Sequence, residues 1–282
     1  MKAPCINSIH HETQLAFYRV FAFGLLWRRR GGSLPVVTDI QVDQLKYGQT
    51  STFRLLGQNL TEDFQVSVSN CAGLTVLKGG SDTEQNVSCT PNVVGLGQIT
   101  PTSMEGVIMV AKTFEIPNPQ IKMSTNFGDM TVELNAVAAP LTVNNYLKYV
   151  NANFYTNTIF HRLIPQFVAQ GGWLSLGVTE QVGAGAPIAL ESNNGLKNTR
   201  GSIGMARTSA PNSATTQFYF NLTDNPKLDY QSETAPGYAV FGRIIEGLGV
   251  LDVMAQISTS TLYGLENFPT SNVVIKSVVQ TK

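Results

Sequence analysis

Charge is scarce in this chain of 282 residues, and its two signs balance. Charged residues make up 13% of the sequence, with 19 lysines and arginines against 19 aspartates and glutamates. An ordinary globular protein carries about 25% charged residues, so the chain is no disordered polyelectrolyte. Because proteins that bind nucleic acid normally show a basic excess, we expect no nucleic-acid partner.

Histidine and cysteine are also rare, which limits metal and nucleophilic chemistry. The histidines are His10, His11 and His161, so a histidine metal centre or a catalytic triad in the body of the chain would depend on His161 alone. Three cysteines cannot form a four-thiolate zinc site. The glycine-rich stretch 183–187 is not followed by the Gly-Lys-Ser/Thr of a phosphate loop. We therefore expect neither a metal nor a cofactor.

A membrane-spanning run is missing as well. Residues 20–27 are mostly apolar, but a transmembrane helix needs about 20 such residues. Arg28, Arg29 and Arg30 follow that run, whereas a secretory signal carries its positive charge before the apolar part. We expect residues 1–34 to be a leader of doubtful order, or a stretch that the mature protein lacks.

Residues 35–117 show the pattern of short strands. Apolar and polar residues alternate in 38–42 and 64–68, and further strands are predicted at 52–56, 107–111 and 113–116. Turn residues recur about every ten positions, which is typical of an all-β sandwich. We predict a small sandwich-like module, and the segment weakly resembles an immunoglobulin-like module.

Cys71 and Cys89 both fall in this module. A disulfide between them would close a loop of about 18 residues and contribute about 3 kcal/mol of stability. Two buried free thiols are the alternative. A disulfide implies an oxidising compartment, so we expect a periplasmic or secreted protein, with the cytoplasm as the alternative.

Residues 118–282 mix strand and helix signals. Two alternating stretches, 121–125 and 130–134, flank a turn cluster and indicate a hairpin. Apolar residues recur at i, i+3, i+4 and i+7 after Pro140 and again after Gly247, which predicts two helices. The pattern favours an α+β unit with an antiparallel sheet or barrel.

The segment Phe160–Gly172 carries a family resemblance. It reads Phe-His-Arg-Leu-Ile-Pro-Gln-Phe-Val-Ala-Gln-Gly-Gly and resembles the signature of cyclophilin-type peptidyl-prolyl isomerases. The resemblance extends over about residues 119–280 and implies a closed eight-stranded antiparallel barrel capped by two helices. Further matches, all similar to the bacterial branch, follow in the family's order at 193–201, 205–208, 213–218 and 237–242.

The resemblance assigns roles to individual positions. Arg162 matches the catalytic arginine, for which a structural ion pair is the alternative role. Gln170 matches an amide that hydrogen-bonds the substrate backbone, whereas the adjacent His161 is expected to be structural. The proline pocket matches Phe167, Val168, Tyr219, Leu228 and Tyr238, unless these residues only pack in a core. The neighbouring groove, for residues before the proline, and its rim match Ala206, Arg207, Gln217 and Gly183.

This assignment suits the chemistry of prolyl isomerisation. The barrier to rotation of a peptide bond is about 18–20 kcal/mol and reflects lost resonance. A guanidinium that hydrogen-bonds the twisted prolyl nitrogen stabilises the transition state and not the planar ground state. An apolar pocket favours the twisted amide further, because that amide is less polar. No nucleophile, metal or cofactor is needed.

Three positions depart from the family pattern. Tyr219 replaces the usual phenylalanine, and its buried hydroxyl would cost about 1–3 kcal/mol without a partner. Val168 stands where methionine is common. Lys227 stands where sensitive members have an aromatic residue that contacts cyclosporin, so we predict weak cyclosporin binding. Tyr219 and Lys227 also put the full catalytic rate in doubt.

Three functions compete on this basis. The first is an isomerase of X-Pro bonds in polypeptides that assists protein folding, with the β module as an accessory domain. The second is a catalytically weak, cyclophilin-like chaperone that holds proline-containing segments. The third places the main function, adhesion or partner binding, in the β module. Because Arg162, Phe167 and Gln170 are all present, the first is favoured.

Overall fold

The structure is a computed structural model that describes residues 16–20 and 33–282, with side chains from residue 33 onward. It consists of two compact units, Met1–Pro117 and Asn118–Lys282. The strand Ala16–Val20 falls within the predicted leader, and the other residues of 1–32 lie outside the described part. No described helix is long and apolar enough to cross a membrane.

The first unit contains two antiparallel four-stranded sheets with the orders β1-β4-β7-β8 and β2-β3-β6-β5. The strands are β1 Ala16–Val20, β2 Val36–Val42, β3 Ser51–Gln58, β4 Phe64–Val68, β5 Cys71–Val76, β6 Glu84–Pro91, β7 Gly95–Ser103 and β8 Lys112–Ile116.

The two sheets share a core because alternate side chains of each strand point inward. In β4 the buried residues are Phe64, Val66 and Val68, two positions apart. Phe53 of β3 meets Phe114 of β8 across the sheets, with ring centroids 5.2 Å apart. This arrangement agrees with the predicted sandwich-like module.

One strand prediction in this unit is wrong. Residues 107–111 form no strand, and only Ile108 makes a single bridge, to Thr102. Val107 and Ile108 are mostly exposed, at 65% and 62%. The stretch is apolar but does not alternate, and a short apolar run alone does not identify a strand.

A disulfide joins Cys71 to Cys89, with their Cα atoms 5.8 Å apart. The two residues lie on β5 and β6, which are neighbours in one sheet. An antibody domain instead carries its disulfide between its two sheets. The immunoglobulin-like character of the module therefore stays a prediction.

The second unit is mainly β, with two α-helices among the residues described. The helices are α1 Pro140–Asn151 and α2 Gly249–Ala255, and a 3-10 turn covers Pro226–Leu228. The strands are β9 Gln120–Thr125, β10 Gly128–Leu134, β11 Thr158–Ile164, β12 Val168–Ser175, β13 Ser202–Met205, β14 Phe218–Asn221, β15 Val240–Glu246, β16 Thr259–Leu262, β17 Leu265–Pro269 and β18 Ile275–Gln280.

Eight of these strands form one antiparallel sheet in the order β11-β12-β14-β13-β15-β10-β9-β18. The sheet curls until its edge strands meet. The Asn157 and Phe160 N–H groups donate to the carbonyls of Ile275 and Val273 at 2.8 and 3.0 Å. The result is a nearly closed eight-stranded barrel, as predicted, while β16 and β17 form a separate hairpin.

Aromatic rings fill the barrel and fix α1 against it. Tyr146 of α1 is fully buried, and its ring lies 5.5 Å from that of Phe218 and 5.2 Å from that of Phe241. The helix starts at Pro140, which suits a first helical position because it lacks an N–H. Both predicted helices are present, and α2 buries Leu251 and Met254.

Candidate active site

The hairpin of β11 and β12 places Arg162. Its turn is closed by the Phe167 N–H, which donates to the Ile164 carbonyl at 3.0 Å, and Gln166 adopts a φ of 57° there. This register sets Arg162 opposite Gln170. The Arg162 Nη1 donates to the Gln170 Oε1 at 3.2 Å, so strand pairing brings the two side chains together.

Gln170 extends this contact to a third residue. Its Nε2 donates to the Gln217 Oε1 at 2.9 Å, while its Oε1 accepts from Arg162. Because both ends of the Gln170 amide are bonded, the amide holds the guanidinium in one orientation. Among the described side chains, those of residues 33–282, Arg162 takes part in no ion pair. Its positive charge is therefore available to a ligand.

One aromatic ring contacts this guanidinium, and further residues predicted for the proline pocket lie on β12 and β14. The Arg162 Cζ lies 5.9 Å from the centroid of the Phe167 ring, and Val168 is 3% exposed. Tyr219 lies on β14, next to β12. Its ring meets the Tyr238 ring edge-on, with centroids 6.0 Å apart. Phe167 thus adjoins the predicted catalytic arginine, and Val168 and Tyr219 lie on the two strands that follow β11 in the sheet.

Leu228 and Tyr238, the other two residues predicted for the proline pocket, are joined through their backbones. The Tyr238 N–H donates to the Leu228 carbonyl at 2.9 Å. Gly237 allows this approach, because a Cβ there would lie 2.5 Å from the Leu228 carbonyl oxygen and its φ is +60°. Leu228 itself sits in the 3-10 turn that also carries Lys227.

The Tyr219 hydroxyl has the partner that its burial requires. It donates to the Asn198 Oδ1 at 2.7 Å. The Asn198 N–H and Nδ2 donate to the Asp229 Oδ1 at 2.8 and 2.9 Å, and a carboxylate only accepts. Asn198 must therefore turn its oxygen toward Tyr219. Burial raises the pKa of Tyr219 above its usual value, so the hydroxyl stays protonated.

Two more buried amides join Asn198 in what we call the amide network, Asn198, Asn221 and Asn225. The Asn221 Nδ2 donates to the Asn198 Oδ1 at 3.1 Å, and the Asn225 Nδ2 donates to the Asn221 Oδ1 at 2.7 Å. Asn225 also donates to the Phe167 carbonyl at 3.0 Å and accepts from the Leu228 N–H at 2.9 Å. The network thus connects three residues predicted for the pocket, Tyr219, Phe167 and Leu228.

Gly204 makes the position of Tyr219 feasible. The two residues face each other on β13 and β14. A Cβ on Gly204 would lie 2.5 Å from the Tyr219 hydroxyl oxygen and ring. Any larger residue at 204 would push the phenol away from Asn198.

The residues predicted for the neighbouring groove also lie together. The Ala206 N–H donates to the Gln217 carbonyl at 2.9 Å. The Arg207 Nε and Nη2 donate to the Gly237 carbonyl at 2.9 and 2.7 Å. The Arg207 Cζ stacks 4.7 Å from the Tyr238 ring centroid. Arg207 therefore links the predicted groove to the predicted proline pocket.

Gly183 is the predicted site residue with the weakest link to the others. It is exposed, has a φ of +112°, and a Cβ there would contact the Phe154 ring at 3.8 Å. In the described part of the chain, no hydrogen bond joins it to the remaining site residues. A rim role for Gly183 stays a prediction.

His161 is buried on β11, with 5% exposure. Its ring packs edge-on against Trp173, with centroids 5.3 Å apart, and its Nδ1 has no hydrogen-bond partner. Burial, and then the charge of Arg162, lower its pKa from 6.5 to about 4. The histidine is therefore neutral at physiological pH, which suits the structural role expected of it.

Sequence reasoning missed the amide network and Asp229. A usable signal was present, because a buried tyrosine at 219 requires an acceptor. The acceptor, Asn198, lies in the matched segment 193–201, but 21 residues separate it from Tyr219. No sequence pattern indicates that Asn198 and Tyr219 are in contact.

The site contains arginine, amides and rings. In the described part of the chain, no group of three or more histidine, cysteine, aspartate or glutamate residues could hold a metal ion. What the arrangement can do is bind an apolar ring and direct a guanidinium at its backbone.

Comparison with known proteins agrees with this geometry. The family model described as cyclophilin type peptidyl-prolyl cis-trans isomerase/CLD matches residues 120–280. A peptidyl-prolyl cis-trans isomerase of Acinetobacter baylyi is 48% identical over 164 residues, covering 58% of this chain and 86% of that protein. Peptidyl-prolyl cis-trans isomerase B of Escherichia coli is 42% identical over 160 residues, covering 56% and 97%.

A solved structure is also similar. It is a cyclophilin type peptidyl-prolyl cis-trans isomerase of Cryptosporidium parvum, determined in the presence of the dipeptide Ala-Pro. It matches with a TM-score of 0.49 and 26% identity, covering 58% of this chain and 99% of that one.

Proposed function

The chain belongs to the cyclophilin-type peptidyl-prolyl cis-trans isomerase family, and on that premise we propose that residues 118–282 accelerate rotation about X-Pro bonds in polypeptides. The substrates are proline-containing segments of unfolded or flexible chains, and the cellular role is assistance to protein folding. The reaction needs no covalent intermediate, because rotation breaks no bond.

Arg162 is the residue that acts on the rotating bond. As the C–N bond twists, the prolyl nitrogen gains a localised lone pair that can accept a hydrogen bond. The Arg162 guanidinium donates to that lone pair only in the twisted state, which lowers the barrier without tightening the ground state. The bond from Arg162 to Gln170 holds the donor in place beforehand.

The rings beside Arg162 hold the proline. Phe167, Val168, Tyr219, Leu228 and Tyr238 offer apolar surface on several sides. The planar amide has the larger dipole, so an apolar surrounding favours the twisted one. Gln170 and Gln217 present amide groups that can bond the substrate backbone and orient it.

The observation that supports the proposal is that Arg162, which bonds Gln170 and contacts the Phe167 ring, has no ion-pair partner within the described residues. An arginine that held a structural ion pair would have its charge compensated within the protein. Here its charge is left for a ligand.

The test is cis/trans exchange of an Ala-Pro peptide measured by NMR. We expect rapid exchange with the wild-type protein and a loss of roughly 100-fold with Arg162→Ala, equivalent to about 3 kcal/mol of transition-state stabilisation. Arg243→Ala is the matched control, because that side chain is 74% exposed on β15. A folded Arg162→Ala variant with wild-type exchange would refute the role of Arg162.

The same measurement separates the isomerase from the chaperone. If the folded wild-type protein binds the peptide but does not accelerate exchange, the protein is a cyclophilin-like binding module. Tyr219→Phe and Lys227→Trp, which introduce residues typical of the family, would then be the first variants to test for a gain in exchange rate.

Cyclosporin should bind weakly. Lys227 is exposed on the 3-10 turn beside Leu228, where it offers an ammonium group in place of an aromatic ring. Inhibition of exchange by cyclosporin measures this, and Lys227→Trp should increase the inhibition. Nanomolar inhibition of the wild-type protein would contradict the prediction.

For location we propose the periplasm or an extracellular compartment. The Cys71–Cys89 disulfide supports this, because such bonds persist where the environment is oxidising. The first unit would be an accessory module there. Free thiols at both positions in protein from its native source would favour the cytoplasm.

A further inference from the structure

A polar groove of about 420 Å³ lies beside the proposed proline pocket. We call it the Lys227 groove. The residues of its lining that matter here are Arg207, Ser209, Lys227, Glu233, Pro236 and Tyr238.

This groove continues the proposed pocket. Tyr238 belongs to both, since its ring packs at right angles to that of Tyr219 and the Arg207 guanidinium lies over it. Lys227 is likewise adjacent in sequence to Leu228, a residue predicted for the pocket. A chain whose proline rests against Tyr219 and Tyr238 therefore has a neighbouring residue within reach of this groove.

The groove carries two cations that lack carboxylate partners. Lys227 is exposed, and within the described residues neither it nor Arg207 takes part in an ion pair. Arg207 donates instead to the carbonyls of Gly237 and Thr208. Backbone carbonyls orient a guanidinium but, being uncharged, do not neutralise its positive charge.

Two acids lie nearby, and they leave a positive excess. Asp229 accepts from Asn198 and pairs with Lys197 at 3.7 Å, so it is already engaged. Glu233 lines the groove, is exposed, and forms no ion pair in the described part of the chain. The lining therefore holds Lys227 and Arg207 against Glu233.

We propose that the Lys227 groove is a subsite for an acidic side chain next to the substrate proline. The inference rests on the proposed isomerase function and names the class of X-Pro sequences that the enzyme prefers. A carboxylate on either side of the proline would meet Lys227 and the stacked Arg207.

The expected preference is modest and sensitive to salt. Exposed ion pairs give small gains, so we expect kcat/KM for an acidic peptide to exceed that of its neutral isostere by about two- to fivefold. The preference should shrink at high ionic strength, because the Debye length falls to about 3 Å at 1 M salt.

The experiment compares Ala-Glu-Pro-Ala and Ala-Ala-Pro-Glu with their glutamine isosteres, using NMR exchange and the full chain. The uncatalysed rate of each peptide is subtracted, because the residue before proline affects isomerisation. The quantity compared is the ratio of kcat/KM for glutamate to kcat/KM for glutamine, at low and high salt.

Variants that change the charge of the groove test whether its residues cause the preference. Lys227→Glu should lower it to one or below, and Glu233→Gln should raise it. Lys276→Met is the control, because Lys276 is exposed on β18 and does not line the groove. Its ratio should equal that of the wild-type protein.

The outcomes separate this inference from the proposed function. Acceleration of the glutamine peptides without preference for glutamate, or a preference that survives Lys227→Glu, overturns the subsite and leaves the isomerase intact. No acceleration of any peptide overturns the proposed function itself. A salt-sensitive preference that Lys227→Glu abolishes supports the subsite.

Discussion

Two neighbouring residues on β11, His161 and Arg162, differ in charge: the histidine is neutral and the arginine is positive. His161 is buried against Trp173, and Arg162 bonds Gln170 beside the predicted proline pocket. The Arg162 charge adds to burial in lowering the pKa of His161. Because the imidazole stays neutral, the arginine is the sole cation at this point of the strand above pH 4 or so.

This neutral histidine predicts an acid-sensitive fold. In the unfolded chain a histidine has a pKa near 6.5, whereas in the folded protein it is about 4. Between these values only the unfolded chain gains the proton, so unfolding becomes easier as pH falls. The loss is about 3 kcal/mol from pH 6.5 to 4 and then levels off. Urea unfolding measures it, followed by Trp173 fluorescence in a Trp27→Phe background.

His161→Phe provides the comparison for that measurement. A phenyl ring fills a similar space and cannot take a proton. We expect the difference in unfolding free energy between this variant and the parent to change by about 3 kcal/mol over the same pH range. An identical pH profile in both proteins would show that other groups cause the acid sensitivity.

At the scale of elements, α1 depends on a residue far away in sequence. The Glu191 carboxylate accepts from the Leu141 and Thr142 N–H groups at 3.0 and 2.8 Å and from the Thr142 hydroxyl at 2.7 Å. These N–H groups have no partner inside the helix. Glu191 therefore performs the capping that Ala139, at the N-cap, cannot.

Removal of this carboxylate should loosen α1. We expect Glu191→Ala to lower the stability of the second unit by about 1–2 kcal/mol, because both capping bonds and a favourable charge at the positive helix end are lost. The urea assay used for His161 reports it. Glu180→Ala, at an exposed position, is the control, and equal effects of the two variants would contradict the capping role.

Elements with a clear period were the predictable ones. The β9–β10 hairpin follows from alternation and α1 from i, i+3, i+4 spacing. The spacing after Gly247 also predicted α2, although Val253 of that pattern is exposed and Leu251, outside it, is buried. The strand predicted at residues 107–111 was wrong because that apolar run does not alternate with polar residues. In the candidate site, the motif around Arg162 led to most residues. The roles of Asn198 and Glu191 were not predicted. Each acts through hydrogen bonds to residues distant in sequence, and such bonds produce no periodic pattern.

At the scale of the whole molecule, the two units hold different chemistry. The disulfide lies in the first unit, whereas every residue assigned to the active site or to the Lys227 groove lies in residues 118–282. We therefore expect that the stability of the first unit can be changed without changing the turnover of the second.

Cys71→Ala with Cys89→Ala tests this separation. We expect the first unit to lose about 3 kcal/mol of stability, because its unfolded chain is no longer cross-linked. Exchange of the Ala-Pro peptide should continue at the wild-type rate. Hydrogen exchange with mass spectrometry reads residues 33–117 and 118–282 individually, and a marked fall in isomerase rate would show that the first unit contributes to catalysis.

The closure of the barrel has a consequence for its synthesis. The strand β18 completes the ring, since it pairs with β9 and lies beside β11. The other seven strands of the barrel are translated before it. Until β18 leaves the ribosome, β9 and β11 each present an unpaired edge, the kind of surface that recruits other strands. We therefore expect the nascent chain to need protection from aggregation until its last barrel strand is released.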